Sequence, residues 1–246
     1  MLQNLFRNIP SITKNLLIIN VLFFLATFLL ETRDIDLHRM LGLYYPSSQY
    51  FRPYQIATHF FMHGSFSHLF FNMFTLVIFG SHLERTWGEK KYLLFYIITA
   101  LGAAFLYFLV NGIEVYSAAG EFFPRMEIYD IQEAGRGMIT YKVDPHTPSN
   151  IGASSFMLNP VLGASGAIYG LIMAFALLFP NTQFMLLFPP IPLKAKWLAL
   201  GLGVMALYSG IQNAQGDSIA HFAHLGGMLF GFILVKIWQR DQNRFY

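Results

Sequence analysis

Charged residues divide this chain into apolar runs that are too long for the strands or helices of a soluble core. One such run lies between Arg52 and Glu84, and another between Lys91 and Glu114. A helix needs about 20 apolar residues to cross the hydrocarbon core of a bilayer, which is roughly 30 Å thick. Only 12% of the residues are charged, about half the share in an ordinary soluble domain. The pattern therefore predicts a chain that folds in lipid.

The runs predict an all-α membrane protein, a single domain over residues 1–246 with six transmembrane helices. The run from Asn15 to Leu30 is expected to be a retained span, because Glu31 and Arg33 follow it where a signal peptide would have small residues. Pro160 and Pro180 bound the fourth span, since proline suits a helix start and ends a helix that reaches it. The predicted spans are approximately residues 15–30, 65–82, 92–112, 160–179, 197–214 and 218–238.

The distribution of basic residues predicts the orientation, because lysine and arginine are retained on the cytoplasmic side. With the N-terminus inside, ten of the sixteen basic residues fall in short cytoplasmic segments. Six crossings then place both termini in the cytoplasm. The polar segment 111–159 becomes an external loop, in which Met138 to Val143 has a strand-like pattern; we expect this loop to have no direct chemical role.

Polar and ionisable residues inside apolar spans are costly, so they are functional candidates. Ser165 lies five residues after Pro160, and His224 lies five residues after Ile219 at the start of the sixth span. Both side chains are therefore expected at a similar depth on two helices that run in the same direction. A serine hydroxyl is a weak nucleophile until a base takes its proton, and histidine, with an unperturbed pKa of about 6.5, is the usual base.

Small residues indicate how these two helices could meet. They recur every four residues on the fourth and sixth spans, a spacing that permits close backbone approach in lipid. Such packing would bring the Ser165 hydroxyl within reach of the His224 imidazole. The glycines predicted to take part in helix packing are Gly163, Gly166, Gly170, Gly227 and Gly231.

His68 and Asn72 are four residues apart and share one face of the second span. Both side chains can donate hydrogen bonds to a developing oxyanion, and the backbone N–H groups at the start of the fourth span add further donors. Tyr169 lies one turn after Ser165, where its ring could pack against His224 and hold it.

Cysteine is absent, which excludes thiolate metal sites and a cysteine nucleophile. An alternative is a metal-dependent hydrolase or metal transporter that uses His59 and His63, which have the spacing of a ligand pair. It is the weaker alternative, because no glutamate lies between them as in zinc enzymes with the His-Glu-x-x-His motif.

Three segments together resemble the rhomboid family of intramembrane serine proteases. The segment 59–73 (HFFMHGSFSHLFFNM) is similar to the rhomboid second helix, with His68 and Asn72 in its His-x-x-x-Asn pattern. The segment 163–170 (GASGAIYG) resembles the Gly-x-Ser-x motif with its later tyrosine. The segment 223–231 (AHLGGMLFG) resembles the Ala-His-x-x-Gly-x-x-x-Gly motif. These matches occur in the family's order.

The resemblance implies a six-helix rhomboid-like bundle and an endopeptidase with a Ser165–His224 dyad, no third acid, no metal and no cofactor. It also implies an oxyanion hole from His68, Asn72 and the Ser165 backbone N–H, with Tyr169 stacked on His224. The implied substrates are single-span membrane proteins in the lipid bilayer, cleaved near the outer face, and nucleic acid is not an expected partner. The expected location is a bacterial cytoplasmic (inner) membrane, and the oligomeric state is left open.

The chain departs from the family pattern in two places. Rhomboids often carry Trp-Arg in the first external loop, where this chain has Phe51 and Arg52, and its external loop 111–159 is longer than in compact bacterial members. A second alternative is a catalytically inactive rhomboid-like protein that binds client transmembrane helices. It would bind such helices without cleaving them.

Overall fold

A computed structural model describes residues 8–124, 128–134, 138–143, 159–185, 191–212 and 219–242, and long helices dominate it. We number the helices α1 to α8 and the strands β1 to β4 in chain order. Helix α4 contains one π-helical turn, Leu76–Gly80, between two α-helical parts. The helices are α1 Ser11–Glu31, α2 Leu37–Leu41, α3 Gln55–Thr58, α4 Phe66–Trp87, α5 Glu89–Ala119, α6 Ser165–Leu178, α7 Ala195–Gln212 and α8 Ile219–Gln242.

Four helices in the described part of the chain are long and apolar enough to cross a membrane. They span Ser11–Glu31, Phe66–Trp87, Glu89–Ser117 and His221–Arg240. Helix α6 is apolar but has only 14 residues, so it is roughly 21 Å long, less than the thickness of the hydrocarbon core. The protein is thus an integral membrane protein by the length and composition of its helices.

Several helices extend beyond the spans predicted from apolarity. Helix α5 begins at Glu89 and continues to Ala119, which takes in the first residues of the predicted external loop. Helix α8 continues past Lys236 to Gln242. Apolar runs mark only the part of a helix that lies in lipid, whereas backbone hydrogen bonds continue the helix into the polar layer.

The fourth predicted span differs from the structure at its start, because α6 begins at Ser165 and not at Pro160. Val161 instead forms an isolated antiparallel bridge with Leu43, through N–H to carbonyl bonds of 3.0 and 2.8 Å. Gly163 then has a φ of +114°, which favours glycine and which a helix excludes. At the other end α6 stops at Leu178, two residues before Pro180. Ser165 is therefore the first residue of the helix. The sequence had predicted five helical residues before it.

Helix α6 lies at the centre of the bundle, between α5 and α8. Ala167, Ile168 and Ala176 are all buried, although they lie on different faces of α6. Because α6 is short and enclosed, we infer that Ser165 lies below the ends of the longer helices around it.

A buried carboxylate joins the start of α1 to the end of α4. Glu84 accepts hydrogen bonds from the backbone N–H of Ile12 at 2.8 Å, and from the N–H and hydroxyl of Thr13, each at 2.7 Å. A carboxylate at a helix N-terminus satisfies N–H groups that have no acceptor within the helix. The contact fixes α1 and α4 as antiparallel neighbours.

The six longest helices alternate in direction along the chain, so that α1, α5 and α7 begin at the end of the bundle where α4, α6 and α8 finish. Contacts of Trp87 with Trp238, and of the Ala195 N–H with the Thr182 carbonyl, join the elements at this end. We call it the basic end. Its basic residues in the described segments are Lys14, Arg85, Lys90, Lys91, Lys194, Lys196, Lys236 and Arg240.

Two short antiparallel hairpins accompany the helices. Strand β1 (Ile128–Ala134) pairs with β2 (Met138–Val143), so the strand-like stretch noted in the sequence is a strand. Strand β3 (Gln183–Met185) pairs with β4 (Pro192–Lys194) between α6 and α7. Phe184 of β3 packs against Phe79 and Phe175, which fixes this hairpin to α4 and α6.

Candidate active site

The Ser165 hydroxyl and the His224 imidazole are in direct contact at the end of the bundle opposite the basic end. His224 Nε2 lies 2.9 Å from Ser165 Oγ, a hydrogen-bond distance. Ser165 is the first residue of α6, and His224 lies five residues after the first residue of α8. Both side chains are half-buried. The arrangement can transfer a proton from the hydroxyl to the ring, which is what a serine nucleophile requires.

Glycines allow the close approach of α6 and α8 that joins these two groups. A Cβ on Gly227 would overlap the carbonyl group of Gly166, and one on Gly231 would lie 2.9 Å from the Gly170 carbonyl oxygen. The two rows of small residues thus pack backbone against backbone. A third contact is with α5, where a Cβ on Gly170 would come within 2.7 Å of the Thr99 side chain.

The ring of His224 is stacked on the ring of Tyr169. The ring centroids are 4.1 Å apart and the planes differ by 3°. His221 lies on the preceding turn of α8, with its ring 6.3 Å from that of His224 at 84°. Within the described segments no carboxylate forms an ion pair or hydrogen bond with His224. The Tyr169 ring thus contacts the face of the imidazole, whereas the acid of a serine triad hydrogen-bonds the edge of the ring.

His68 and Asn72 of α4 lie beside the segment that leads into Ser165. The Ser65 hydroxyl caps this helix by accepting the His68 N–H at 3.1 Å. The Asn72 Nδ2 atom is buried and has no hydrogen-bond partner among the residues that the structure describes. A buried donor without a partner is costly, so the Asn72 side chain has a donor available for an acceptor that the described residues do not supply.

Gly163 has a different place from the one predicted for it. It lies two residues before α6 and so does not belong to the helix–helix contact. A Cβ at this position would lie 2.7 Å from His68 Cε1 and Nε2, and 3.6 Å from Asn72 Nδ2. The Gly163 N–H donates to the His59 carbonyl at 2.9 Å. Glycine here lets the chain pass directly over the His68 ring, which brings His68, Asn72 and Ser165 together.

The backbone at the start of α6 supplies further donors near Ser165. The hydrogen bond from the Ile168 N–H to the Ala164 carbonyl, at 3.0 Å, begins the helical pattern. The N–H groups of the preceding residues have no acceptor within the helix. With the helix dipole they favour negative charge at this point, as a developing oxyanion requires.

His59 and His63, the pair in the metal-site alternative, are buried before α4. His59 Nδ1 is 2.9 Å from the Gln55 carbonyl oxygen, which occupies one ring nitrogen. Among the described residues no group of three His, Cys, Asp or Glu side chains is placed to hold a metal ion. The alternative thus gains no third ligand from these segments. Burial lowers the pKa of His59 to about 4, and burial together with nearby His68 lowers the pKa of His63 to about 3.

These two lowered pKa values predict that acid destabilises the fold. In the unfolded chain both imidazoles titrate near 6.5. As the pH falls below about 6.5, both imidazoles become protonated in the unfolded state but stay neutral in the folded state. In the folded state His59 becomes protonated only near pH 4, and His63 only near pH 3. Each residue then contributes about 1.4 kcal/mol of lost stability per pH unit. Thermal unfolding of the detergent-solubilised protein from pH 7 to 4.5 measures the slope.

The matched comparison uses the double variant His59→Gln/His63→Gln and the variant His82→Gln, which changes an exposed histidine. The double variant is expected to be less stable at pH 7 but to lose less stability as the pH falls. His82→Gln should keep the slope of the parent. Equal slopes in the parent and the double variant would contradict the assignment.

Three histidines beside the site were not assigned to it from the sequence, and one of them, His63, was considered only as a metal ligand. His63 is buried with both ring nitrogens unpartnered in the described segments, and its ring lies 5.0 Å from that of His68. The His38 ring in α2 is 3.1 Å from the His63 carbonyl oxygen. The spacing of three residues between His221 and His224 is a helical signal that could have identified His221. No local signal relates His38 to His63, because 25 residues separate them.

Comparison with known proteins agrees with the motifs. A family model described as the Rhomboid domain matches residues 50–240. Rhomboid protein 1, mitochondrial, of Saccharomyces cerevisiae is 27% identical over 188 residues, which are 75% of this chain and 42% of the relative. Rhomboid-like protein 16, chloroplastic, of Arabidopsis thaliana is 24% identical over 77% of this chain and 49% of the relative. RHOMBOID-like protein 12, mitochondrial, of the same plant is 26% identical over 79% of this chain and 49% of the relative.

The chain spans less than half the length of each of these curated relatives. The family model, however, covers most of the chain, including α4 to α7 and nearly all of α8. His68, Asn72, Ser165, Tyr169 and His224 all fall inside the matched range. On this match the chain belongs to the rhomboid family.

Proposed function

We propose that this protein is an intramembrane serine endopeptidase that cleaves membrane-anchored protein substrates through a Ser165–His224 dyad. The observation that carries the proposal is the 2.9 Å contact between Ser165 Oγ and His224 Nε2. It joins two helices whose facing glycines leave no room for side chains between them. Membership of the rhomboid family, whose typical members are serine proteases, supports the same reaction.

The proposed reaction is peptide-bond hydrolysis in two steps. His224 takes the Ser165 proton while Oγ attacks the scissile carbonyl carbon, and the resulting oxyanion accepts hydrogen bonds from His68, Asn72 and the Ser165 N–H. The C–N bond then breaks, and His224 gives its proton to the leaving amine, which leaves an acyl-serine. A water molecule attacks this ester with His224 again as base. The second product is the carboxylate, and the Ser165 hydroxyl is restored.

The proposed topology has six membrane crossings with both termini in the cytoplasm. Support comes from the alternation of the six longest helices, together with the basic end, since basic residues are retained on the cytoplasmic side. Ser165 then lies towards the outer face and below the surface. A single-span substrate would reach it by unwinding at its outer end. The prediction of a bacterial cytoplasmic membrane gains no support from relatives named for mitochondria and chloroplasts, and we assign no particular membrane.

Reconstitution tests the function directly. The purified chain is placed in liposomes with a single-span substrate that carries a tag at each end, and the products are followed by gel and mass spectrometry. We expect two tagged fragments produced by one internal cut near the outer end of the substrate helix. Co-purification of an intact substrate without fragments, across several single-span substrates, would instead support the inactive helix-binding alternative.

The oxyanion role predicts the effect of Asn72→Ala. Removal of one such donor typically lowers the rate of catalysis by about 100- to 1,000-fold. Because the donor acts on the transition state, kcat should fall while KM changes little. Asn20→Ala is the matched control, since Asn20 is also buried but bonds the Leu16 carbonyl within its own helix. Steady-state rates in liposomes separate kcat from KM, and an Asn72→Ala variant as fast as Asn20→Ala would exclude this role.

A further inference from the structure

A small cleft opens at the basic end, far from Ser165, between the ends of α4, α6 and α8 and the start of α5. It is lined by Trp87, Lys91, Leu178, Val235, Trp238 and Gln239. The catalytic chemistry proposed above uses none of these side chains. The cleft is therefore a second candidate site, with its own chemistry.

Aromatic rings hold the charged group of this cleft in place. Lys91 Nζ lies 4.3 Å from the centroid of the Trp238 ring, a cation–π contact. The Trp87 and Trp238 rings meet edge to face at 5.3 Å, and Phe95 packs against both, at 4.9 and 5.9 Å. Lys91, although half-buried, thus has a fixed position on a rigid aromatic base.

The polar groups of the cleft are mainly donors that have no protein acceptor. They are the Lys91 ammonium, the indole N–H groups of Trp87 and Trp238, and the Gln239 carboxamide. Within the segments that the structure describes, none of these four side chains forms a hydrogen bond or an ion pair with the protein. Glu84 is buried in its contact with α1, and Glu89 does not line the cleft. Donors with no carboxylate among the described residues that line the cleft favour an anion.

The position of the cleft identifies the kind of anion. Tryptophan and lysine concentrate at the level of lipid headgroups, and basic pockets between transmembrane helices bind anionic headgroups. The floor of the cleft is apolar, from Leu178 and Val235, which suits the start of an acyl chain better than a freely hydrated ion. Other cations surround it, with Lys90 and Arg240 exposed at the same end.

We propose that the cleft formed by Trp87, Lys91, Trp238 and Gln239 binds the phosphate group of an anionic phospholipid, with Lys91 as its main charge partner. The site would attach the basic end to anionic lipid. It acts independently of peptide hydrolysis, so its test needs no activity measurement.

The chain provides its own reporter, because two of its three tryptophans line the cleft. In a Trp197→Phe background only Trp87 and Trp238 fluoresce. The full-length protein in mixed micelles is titrated with brominated phosphatidylglycerol or brominated phosphatidylcholine, which quench tryptophan on contact. One lysine near the membrane surface corresponds to about a fivefold preference for anionic lipid. We therefore expect half-quenching at about fivefold lower mole fraction of the anionic lipid.

Variants distinguish lipid binding in the cleft from the nonspecific attraction of anionic lipid to the basic end as a whole. Lys91→Gln should remove the lipid preference, whereas Lys91→Arg should retain it. Lys196→Gln is the matched control, because Lys196 lies beside Trp197 outside the cleft, and it should also retain the preference. Equal quenching of the parent by both lipids, a preserved preference in Lys91→Gln, or its loss in Lys91→Arg would overturn the proposal. So would equal loss in Lys91→Gln and Lys196→Gln.

A final arm distinguishes lipid from free phosphate. Inorganic phosphate replaces chloride at constant ionic strength after the anionic lipid has bound. Quenching that persists supports a phospholipid site. If phosphate reverses the quenching and chloride does not, the cleft binds the free ion. The assignment to a lipid would then be wrong.

Discussion

Replacement of Ser165 by alanine is expected to lower the rate of substrate cleavage by about 10⁴-fold or more. The change removes the nucleophile, and serine hydrolases that lose a member of the nucleophile–base unit fall by this order. The fold should survive, because alanine is compatible with the first turn of α6 and, among the described residues, the Ser165 hydroxyl makes one hydrogen bond, to His224. Cleavage of a single-span substrate in liposomes measures the rate, and thermal unfolding checks the fold.

Ser81→Ala is the matched control for Ser165→Ala. Ser81 is a buried serine of α4, and its hydroxyl has no hydrogen-bond partner among the described residues. Its replacement should leave the rate of cleavage unchanged. A Ser165→Ala protein that cleaves as fast as Ser81→Ala would rule out Ser165 as the nucleophile.

The second large effect is expected for Gly227→Ala. The added methyl group would overlap the Gly166 carbonyl, and backbone atoms cannot move aside as a flexible side chain can. Helices α6 and α8 must therefore separate, which lengthens the distance between Ser165 and His224. Overpacking of this kind typically costs about 1–3 kcal/mol, and a shift of about 1 Å in catalytic geometry can cost about 100-fold in rate. We expect both losses together, in thermal unfolding and in substrate cleavage.

Gly201→Ala is the same chemical change on α7, at a position where an added Cβ meets nothing within 4 Å. Alanine favours a helix over glycine by about 1 kcal/mol, so this control should be as stable as the parent or slightly more stable, and fully active. Parent-like activity in Gly227→Ala would mean that the close approach of α6 and α8 does not position the dyad.

The long helices could be predicted from the sequence because charged residues lie outside the hydrocarbon core of the bilayer and so mark the ends of the apolar spans. The starts of α7 and α8 lie within two residues of the predicted starts. The predicted start of α6 was wrong by five residues, because proline at position 160 is compatible with a helix start but does not require one. The bridge between Leu43 and Val161 keeps this segment extended instead. That contact joins residues 118 positions apart, which no local pattern reports.

The residues of the candidate site were easier to predict than the contacts made by the residues around it. Serine, histidine, asparagine and tyrosine side chains in apolar helices stand out by their cost in lipid, and the structure brings Ser165 to His224 and Tyr169. The expectation for Gly163 was less accurate, because a glycine motif does not distinguish helix packing from a positive φ. The unpartnered donor of Asn72 and the cleft around Lys91 depend on neighbours from several helices. Such neighbours are settled only by tertiary packing.

The proposed Ser165–His224 dyad is tested most directly by the reaction of the detergent-purified protein with a fluorophosphonate, which forms a covalent bond with an activated serine. Mass spectrometry of the digested product identifies the labelled residue. The proposed dyad predicts a label on Ser165 in the parent, none in Ser165→Ala, and strongly slowed labelling in His224→Ala, whose serine has lost its base. A label on another serine, or labelling at the parent rate in His224→Ala, would contradict it.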